Sequence, residues 1–262
     1  FGNGPVMLEV GANFTITTDA CVGDVNRCST TYAGMAQDVR PEDLLLVDDG
    51  KILLRVDHVD GNDIVTEVLE GGIVSDNKGI NMPGVGVSVP ALAEKDIDDL
   101  RWALRAGTDL VALSFVRSAA DIADVHAVMD EVGIRVPVLA KIEKPQAVDN
   151  LADIIAAFDG VMVARGDLGV ELPIEQVPLV QKQAISMCRN VGKPVIVATQ
   201  MLDSMVTARR PTRAEASDVA NAVLDGTDAL MLSAETSVGD HPVTVVETMA
   251  RIIRHVEEQS LT

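Results

Sequence analysis

Lys141 and Glu143 flank Ile142 at the end of the apolar run Val136 to Ile142. Alternation along a strand sends both side chains to the same face, toward an interior or its rim. A bare charge there is costly unless it is paired or neutralised, and taken alone the tripeptide reads more readily as an ordinary salt bridge. The next apolar run, Gly160 to Ala164, delivers Arg165-Gly166-Asp167-Leu168-Gly169. Two glycines around an aspartate let the backbone approach a ligand closely and turn its N–H groups toward an anion; the alternative is a tight turn in which Asp167 caps the following helix. If Glu143 and Asp167 face each other, they make a hard oxygen site suited to magnesium. Lys141 alongside would then neutralise charge on a transferring phosphoryl group or a developing enolate. Thr199-Gln200, after the run Pro194 to Ala198, and Ser233, after Ala229 to Leu232, bring hydroxyls to the same rim. Either hydroxyl could equally cap its own following helix.

These residues share one position in a repeated event. Five β-branched apolar runs, beginning at Leu110, Val136, Gly160, Pro194 and Ala229, each end in small, polar or charged residues and are followed by a helical pattern. In a parallel β/α arrangement all strand C-termini face the same way, so residues far apart in sequence converge. The helical pattern opens at Glu94, with Ile97, Leu100, Trp102 and Leu104, and stops at Gly107. Ser118 is placed to cap a helix that ends at Gly133, Thr212 to Glu215 has capping-box spacing, and Pro242 suits the first turn of the last helix.

Residues 1 to 87 alternate instead with period two. Val6 to Val10, Phe14 to Thr17, Leu44 to Val47, Ile52 to Val56 and Ile64 to Leu69 read as strands. Asp49-Gly50 and Gly61-Asn62-Asp63 are turn signals, and Gly71-Gly72 is expected to end the series. The expected fold is therefore α/β, with a small all-β, barrel-like domain over 1–87 and a partial β/α barrel over 88–262. A closed barrel of this type needs eight strands, so three are expected to lie before residue 1.

Composition narrows the partners. A net charge of −19 with 2% aromatic residues argues against a nucleic-acid partner, which demands a basic stripe and stacking platforms. No run is long enough to span a bilayer and no leader is visible, so a cytoplasmic protein is expected. Cys21, Cys28 and Cys188 form no C-x-x-C pair and the four histidines have no ligand spacing, which fits reduced thiols and argues against zinc.

The strand-end motifs together resemble pyruvate kinase, in its bacterial form. The resemblance rests on Ala140-Lys141-Ile142-Glu143-Lys144, on Met162 to Glu171, on Gly192 to Leu202, on Arg210-Pro211-Thr212-Arg213-Ala214-Glu215 and on Ser217 to Val223. Val47 to Gly50, Asn81 to Gly84 and Ala93 to Asp96 extend it over essentially the whole chain. The family's fold is a TIM (β/α)8 barrel with a β domain inserted after strand three, so the resemblance implies that domain plus strands four to eight, without strands one to three or the C-terminal domain.

The resemblance also implies roles. Lys141 would stabilise charge on the phosphoryl group leaving phosphoenolpyruvate, Glu143 and Asp167 would hold Mg2+ or Mn2+, and backbone N–H groups of Gly166 and Asp167 would bind the substrate carboxylate. Thr199 would assist proton delivery to the enolate, with Ser233 nearby. The implied reaction transfers a phosphoryl group from phosphoenolpyruvate to ADP, giving pyruvate and ATP, with the β domain as a lid. K+ is implied, but its ligands and the catalytic arginine belong to the segment not in this chain. The family is usually homotetrameric, with Arg210 to Arg213 near a subunit contact. Ala234 stands where the family usually has glycine, and Asn77 where many members have a basic residue; Lys78 is a basic candidate near the hinge of the β domain. The rival expectations are a magnesium-dependent pyruvate-enolate aldolase and a non-catalytic structural or binding fragment, and the chain by itself is expected to be inactive.

Overall fold

The computed structural model describes residues 1–48, 50–85 and 92–260. Contacts divide the chain into two compact units, Phe1–Pro90 and Ala91–Thr262. The expected boundary at 87/88 and Asp49 of the first turn signal lie outside the described residues.

The first unit is built on a six-stranded sheet in the order Arg27–Ser29, Asn13–Thr17, Asp63–Glu70, Ile52–Asp60, Leu44–Val47, Ile80–Asn81. Period-two burial creates its core: along Asp63–Glu70 the alternate residues Ile64, Thr66 and Val68 are buried, and Ile64 packs with Phe14, Ile16, Leu45, Leu54 and Val68. The Ile52–Asp60 and Asp63–Glu70 strands form a hairpin across Gly61-Asn62, and Gly61 takes the left-handed φ of 60° that such a turn requires. Two expectations are corrected. Gly71-Gly72 does not end the strands: Gly72–Val74 pairs antiparallel with Val6–Leu8, and a Cβ on Gly71 would lie 2.3 Å from the Leu8 carbonyl oxygen, so glycine is there for close approach. Nor is the unit purely β, because Met35–Asp38 forms one helical turn that buries Met35.

The second unit is an α/β layer around a five-stranded parallel sheet. Its order is Ala229–Met231, Val195–Ala198, Gly160–Ala164, Val138–Ile142, Val111–Leu113. Helices Glu94–Ala106, Ile122–Val132, Leu151–Ala157, Val177–Val191, Arg213–Asp225 and Pro242–Ser260 alternate with these strands. Gly107, Gly133, Gly192 and Gly226 close four of them in left-handed conformation. Thr212 caps Arg213–Asp225 with the reciprocal bond to Glu215 that the spacing predicted. Ser118 caps a 3-10 turn, Ala119–Asp121, which leads into the Ile122–Val132 helix.

Lys193, which leads into the Val195–Ala198 strand, ties the start of that strand to the end of the helix Leu151–Ala157. Its ammonium donates to the carbonyls of Ile155, Ala156 and Phe158 at 2.6, 2.8 and 2.6 Å, satisfying acceptors that a helix end leaves open. The three cysteines are free, and burial pushes the Cys28 and Cys188 thiols up to about 11, which favours the protonated thiol over the nucleophilic thiolate. Among the described residues no helix is long and apolar enough to cross a membrane.

Gly160 opens the fully buried Gly160–Ala164 strand, and a Cβ there would sit 2.6 Å from the Pro194 carbonyl oxygen and 2.7 Å from Leu139 Cδ2. Gly160→Ala is therefore expected to cost about 1–3 kcal/mol through overpacking, read as a lower urea midpoint. A second expectation concerns Glu215. Burial alone would raise its carboxyl, but bonds from the Ser204 hydroxyl and N–H and from Thr212 outweigh that and hold it below the ordinary glutamate range. A lowered folded value means that this stabilisation is complete above the unfolded glutamate range and is lost as pH falls through the folded one. Glu215→Gln should flatten the acid side of the stability–pH profile; an unchanged slope in urea titrations would contradict the assignment.

Candidate active site

Parallel register sets the site's frame. Ile142 pairs with Val163 and Ala164 with Ala198, so the residues that follow, Glu143, Arg165 to Asp167 and Thr199-Gln200, leave three neighbouring strands at one end. Ser114 and Phe115 follow Val111–Leu113 on the same side of the ladder.

Glu143 is fully buried. Its Oε2 accepts the Phe115 N–H at 2.7 Å, and its Oε1 lies 2.6 Å from Lys141 Nζ. That contact is an ion pair outside hydrogen-bond alignment, because Oε1 accepts no hydrogen bond. Lys141 donates instead to Ser114 Oγ at 2.9 Å. The expected pairing of Lys141 with Glu143 on one face is present, with Ser114 as a third member. Phe115, which supplies the N–H, takes a left-handed φ of 55° and is half exposed. Lys144 Nζ lies 5.5 Å from its ring centroid and 2.6 Å from the buried Glu171 carboxylate.

The neighbouring turn is held more tightly. Thr199 and Gln200 both adopt left-handed conformations, φ 71° and 52°, a state that costs a non-glycine residue about 1–2 kcal/mol and a β-branched one more. Arg165 braces them. Its guanidinium donates to the Thr199 carbonyl at 2.7 Å and the Gln200 carbonyl at 3.1 Å, and pairs with Asp218 at 2.7 Å. Thr199 Oγ1 accepts the Gly166 N–H at 2.7 Å and donates to the Ala198 carbonyl at 2.6 Å. The threonine thus caps the first turn of the seven-residue helix Arg165–Glu171 on the adjacent strand, not its own following helix. Asp167 lies in that turn, half-buried.

Ser233 is also not a side-chain helix cap. Its N–H donates to Glu235 Oε2 at 2.8 Å, and the other oxygen of this buried carboxylate accepts the Leu202 N–H at 3.2 Å. Ala234 sits in the helical turn Ala234–Ser237 with no positive φ, so the position makes no demand for glycine. Asn77 is left-handed at φ 59°, a conformation that asparagine tolerates through local hydrogen bonding. Lys78 pairs with Asp48 at 2.9 Å, and that bond holds the Asp48 carboxyl below its usual range.

Among the described residues no three His, Cys, Asp or Glu side chains group as a metal cage. Glu143 and Asp167 leave adjacent strands, and the buried Glu143 Oε1, with an ammonium 2.6 Å away, accepts no hydrogen bond; an oxygen of this kind is chemically suited to a hard cation. Sequence reasoning did not assign roles to Arg165, Asp218, Phe115 or Glu235. Charge at a strand end was visible for Arg165, but nothing in the spacing ties it to Asp218 on a helix 53 residues later.

The unit is of the α/β class and brings a lysine, two carboxylates and a braced threonine to one set of strand ends. The family model for "Pyruvate kinase, barrel domain" matches residues 1–246. Pyruvate kinase of Mycobacterium tuberculosis is 64% identical over 260 residues, covering 99% of this chain and 55% of that protein. That of Corynebacterium glutamicum is 62% identical over 257 residues (98% and 54%), and that of Clostridium perfringens 47% over 259 (98% and 55%). The chain belongs to the pyruvate kinase family, and it spans about half the length of these relatives. Membership displaces the aldolase alternative.

Arg165→Lys keeps the charge but loses the fork that spans Asp218 and two carbonyls. It is expected to destabilise the unit by about 1–3 kcal/mol, the cost of leaving buried polar partners unpaired, and to release Thr199 and Gln200 from positive φ. Urea unfolding measures the first and a crystal structure of the variant the second; an unchanged turn would remove Arg165 as its brace.

Proposed function

We propose that the chain carries most of the catalytic face of a pyruvate kinase, transferring the phosphoryl group of phosphoenolpyruvate to ADP to give pyruvate and ATP. The observation that carries the reading is the Lys141–Glu143 pair: an ammonium fixed at 2.6 Å from a buried carboxylate and by Ser114, at strand ends shared with Asp167 and Thr199. Little covalent chemistry is asked of the protein in phosphoryl transfer, where positioning and charge stabilisation carry the rate. Lys141 would sit against the leaving phosphoryl oxygens. Gly166 N–H, held by Thr199 Oγ1, would exchange onto the substrate carboxylate with Asp167 N–H beside it, and the freed Thr199 hydroxyl would then face the enolate carbon. Ser233 would lie at the edge of the same site.

Glu143 and Asp167 would hold Mg2+ or Mn2+, which when bound neutralises phosphoryl charge. K+ ligands and the family's catalytic arginine would come from the part of the relatives that this chain does not span. In this reading the five parallel strands are strands four to eight of an eight-stranded barrel, residues 1–87 are the inserted β domain, and residues 88–262 the barrel part. The whole protein would be a cytoplasmic homotetramer, and this chain alone would be inactive.

The test is a chimera in which these 262 residues replace the matching stretch of the Mycobacterium tuberculosis enzyme, assayed for pyruvate formation beside the isolated chain. Turnover is expected in the chimera only, with Lys141→Met reducing it about 10²- to 10³-fold, as for loss of an electrostatic stabiliser. A folded but inactive chimera, or a Lys141→Met chimera at full rate, would reject the reading.

A further inference from the structure

Lys144 is a charged group at these strand ends for which the proposed reaction has no use. Its ammonium lies 2.6 Å from Glu171, whose side chain is 2% exposed, and 5.5 Å from the Phe115 ring centroid. Both contacts lead back to the two acids of the site. Phe115 is the residue whose N–H, turned inward by a left-handed backbone, donates to Glu143 Oε2 at 2.7 Å. Glu171 closes the helix Arg165–Glu171 and stands four residues after Asp167, the spacing that puts two side chains on one helix face.

One side chain thus spans three neighbouring strand ends. Lys144 follows Val138–Ile142, Phe115 follows Val111–Leu113, and Glu171 ends the helix that follows Gly160–Ala164. Both contacts are of a kind that fixes position. A carboxylate as buried as Glu171 is costly unless a cation compensates it, so the ammonium and the helix end are held to each other. A cation within about 6 Å of an aromatic face is attracted to it. Phe115 is half exposed and in a backbone state that costs a non-glycine residue free energy, and the ammonium against its ring opposes its swinging out into solvent.

We propose that Lys144 is a positioning residue for the divalent cation: through Phe115 and Glu171 it sets how the carboxylates of Glu143 and Asp167 stand toward each other, and so sets their affinity for a hard cation. The inference rests on the reading of Glu143 and Asp167 as the acids that hold Mg2+ or Mn2+. Position and charge act here with opposite sign. As a bare charge, an ammonium near a cation site weakens binding, and removing it should tighten binding. As a positioning group its removal should loosen binding, because outer partners that orient ligands are worth about 10- to 100-fold in metal affinity.

The experiment is a titration of the 262-residue chain with Mn2+, the free ion being read by electron paramagnetic resonance. Glu143→Gln should abolish binding at the site, which tests the underlying reading by itself. Lys144→Met should raise the Mn2+ dissociation constant about tenfold and lower the protection of the Phe115 amide against hydrogen exchange. Lys144→Arg, which keeps the cation, should recover most of the affinity. Lys144→Met leaves Glu171 buried without the ammonium, so a Lys144→Met/Glu171→Met double variant, which removes both charges, is measured beside it, with the same loss expected. Where Glu143→Gln abolishes binding, unchanged or tighter Mn2+ binding in either Lys144→Met protein would overturn the role of Lys144 alone. No Mn2+ binding by the parent chain, or binding indifferent to Glu143→Gln, would overturn the cation reading and this inference with it.

Discussion

A buried carboxylate is the constraint around which the strand ends are arranged. Glu143 lies at the end of the Val138–Ile142 strand with no exposure, and an ion taken out of water costs several kcal/mol unless compensated. Compensation comes from Lys141 on one oxygen and the Phe115 N–H on the other. Each brings a consequence. Lys141 is fixed to Ser114 instead of reaching into solvent, and Phe115 must turn its N–H inward through a left-handed backbone. One charge thereby determines the conformation of two strand ends.

Thr199 extends the same economy to the adjoining strand. Its left-handed backbone aims the hydroxyl at the Gly166 N–H, and Arg165 holds that backbone by its carbonyls while anchored on Asp218. Backbone conformations this unfavourable persist where surrounding structure over-determines them, and they gather at functional sites. Here the determining groups are a guanidinium fork and one hydroxyl. Glu235 serves the last two strand ends in a comparable way, by taking the N–H groups of Leu202 and Ser233.

The elements that were legible in the sequence are those with local causes. Gly107 and Gly133 end helices because only they take positive φ cheaply, Thr212 and Glu215 satisfy each other across three residues, and the Gly61 turn joins strands with an unmistakable period of two. What escaped was short or decided by distant partners. Arg27–Ser29 is a three-residue strand paired in parallel with Asn13–Thr17, and Gly72–Val74 exists because Val6–Leu8 offers it a ladder. Within the site, Lys141, Glu143, Asp167 and Thr199 were legible as residues at or just beyond strand ends. The left-handed state of Thr199 was not, since it depends on Arg165 and hence on a helix beginning at Arg213. Likewise the choice between Thr199 capping its own helix and capping a neighbour's is made by sheet register, which no local pattern encodes.

Lys193 offers a different kind of consequence. An ammonium with three carbonyls around it has every proton engaged and no free electron pair to offer an acylating reagent. Its modification must wait until the end of the helix Leu151–Ala157 lets go of it, so the speed of acylation at this one amine becomes a clock for how often that helix end opens.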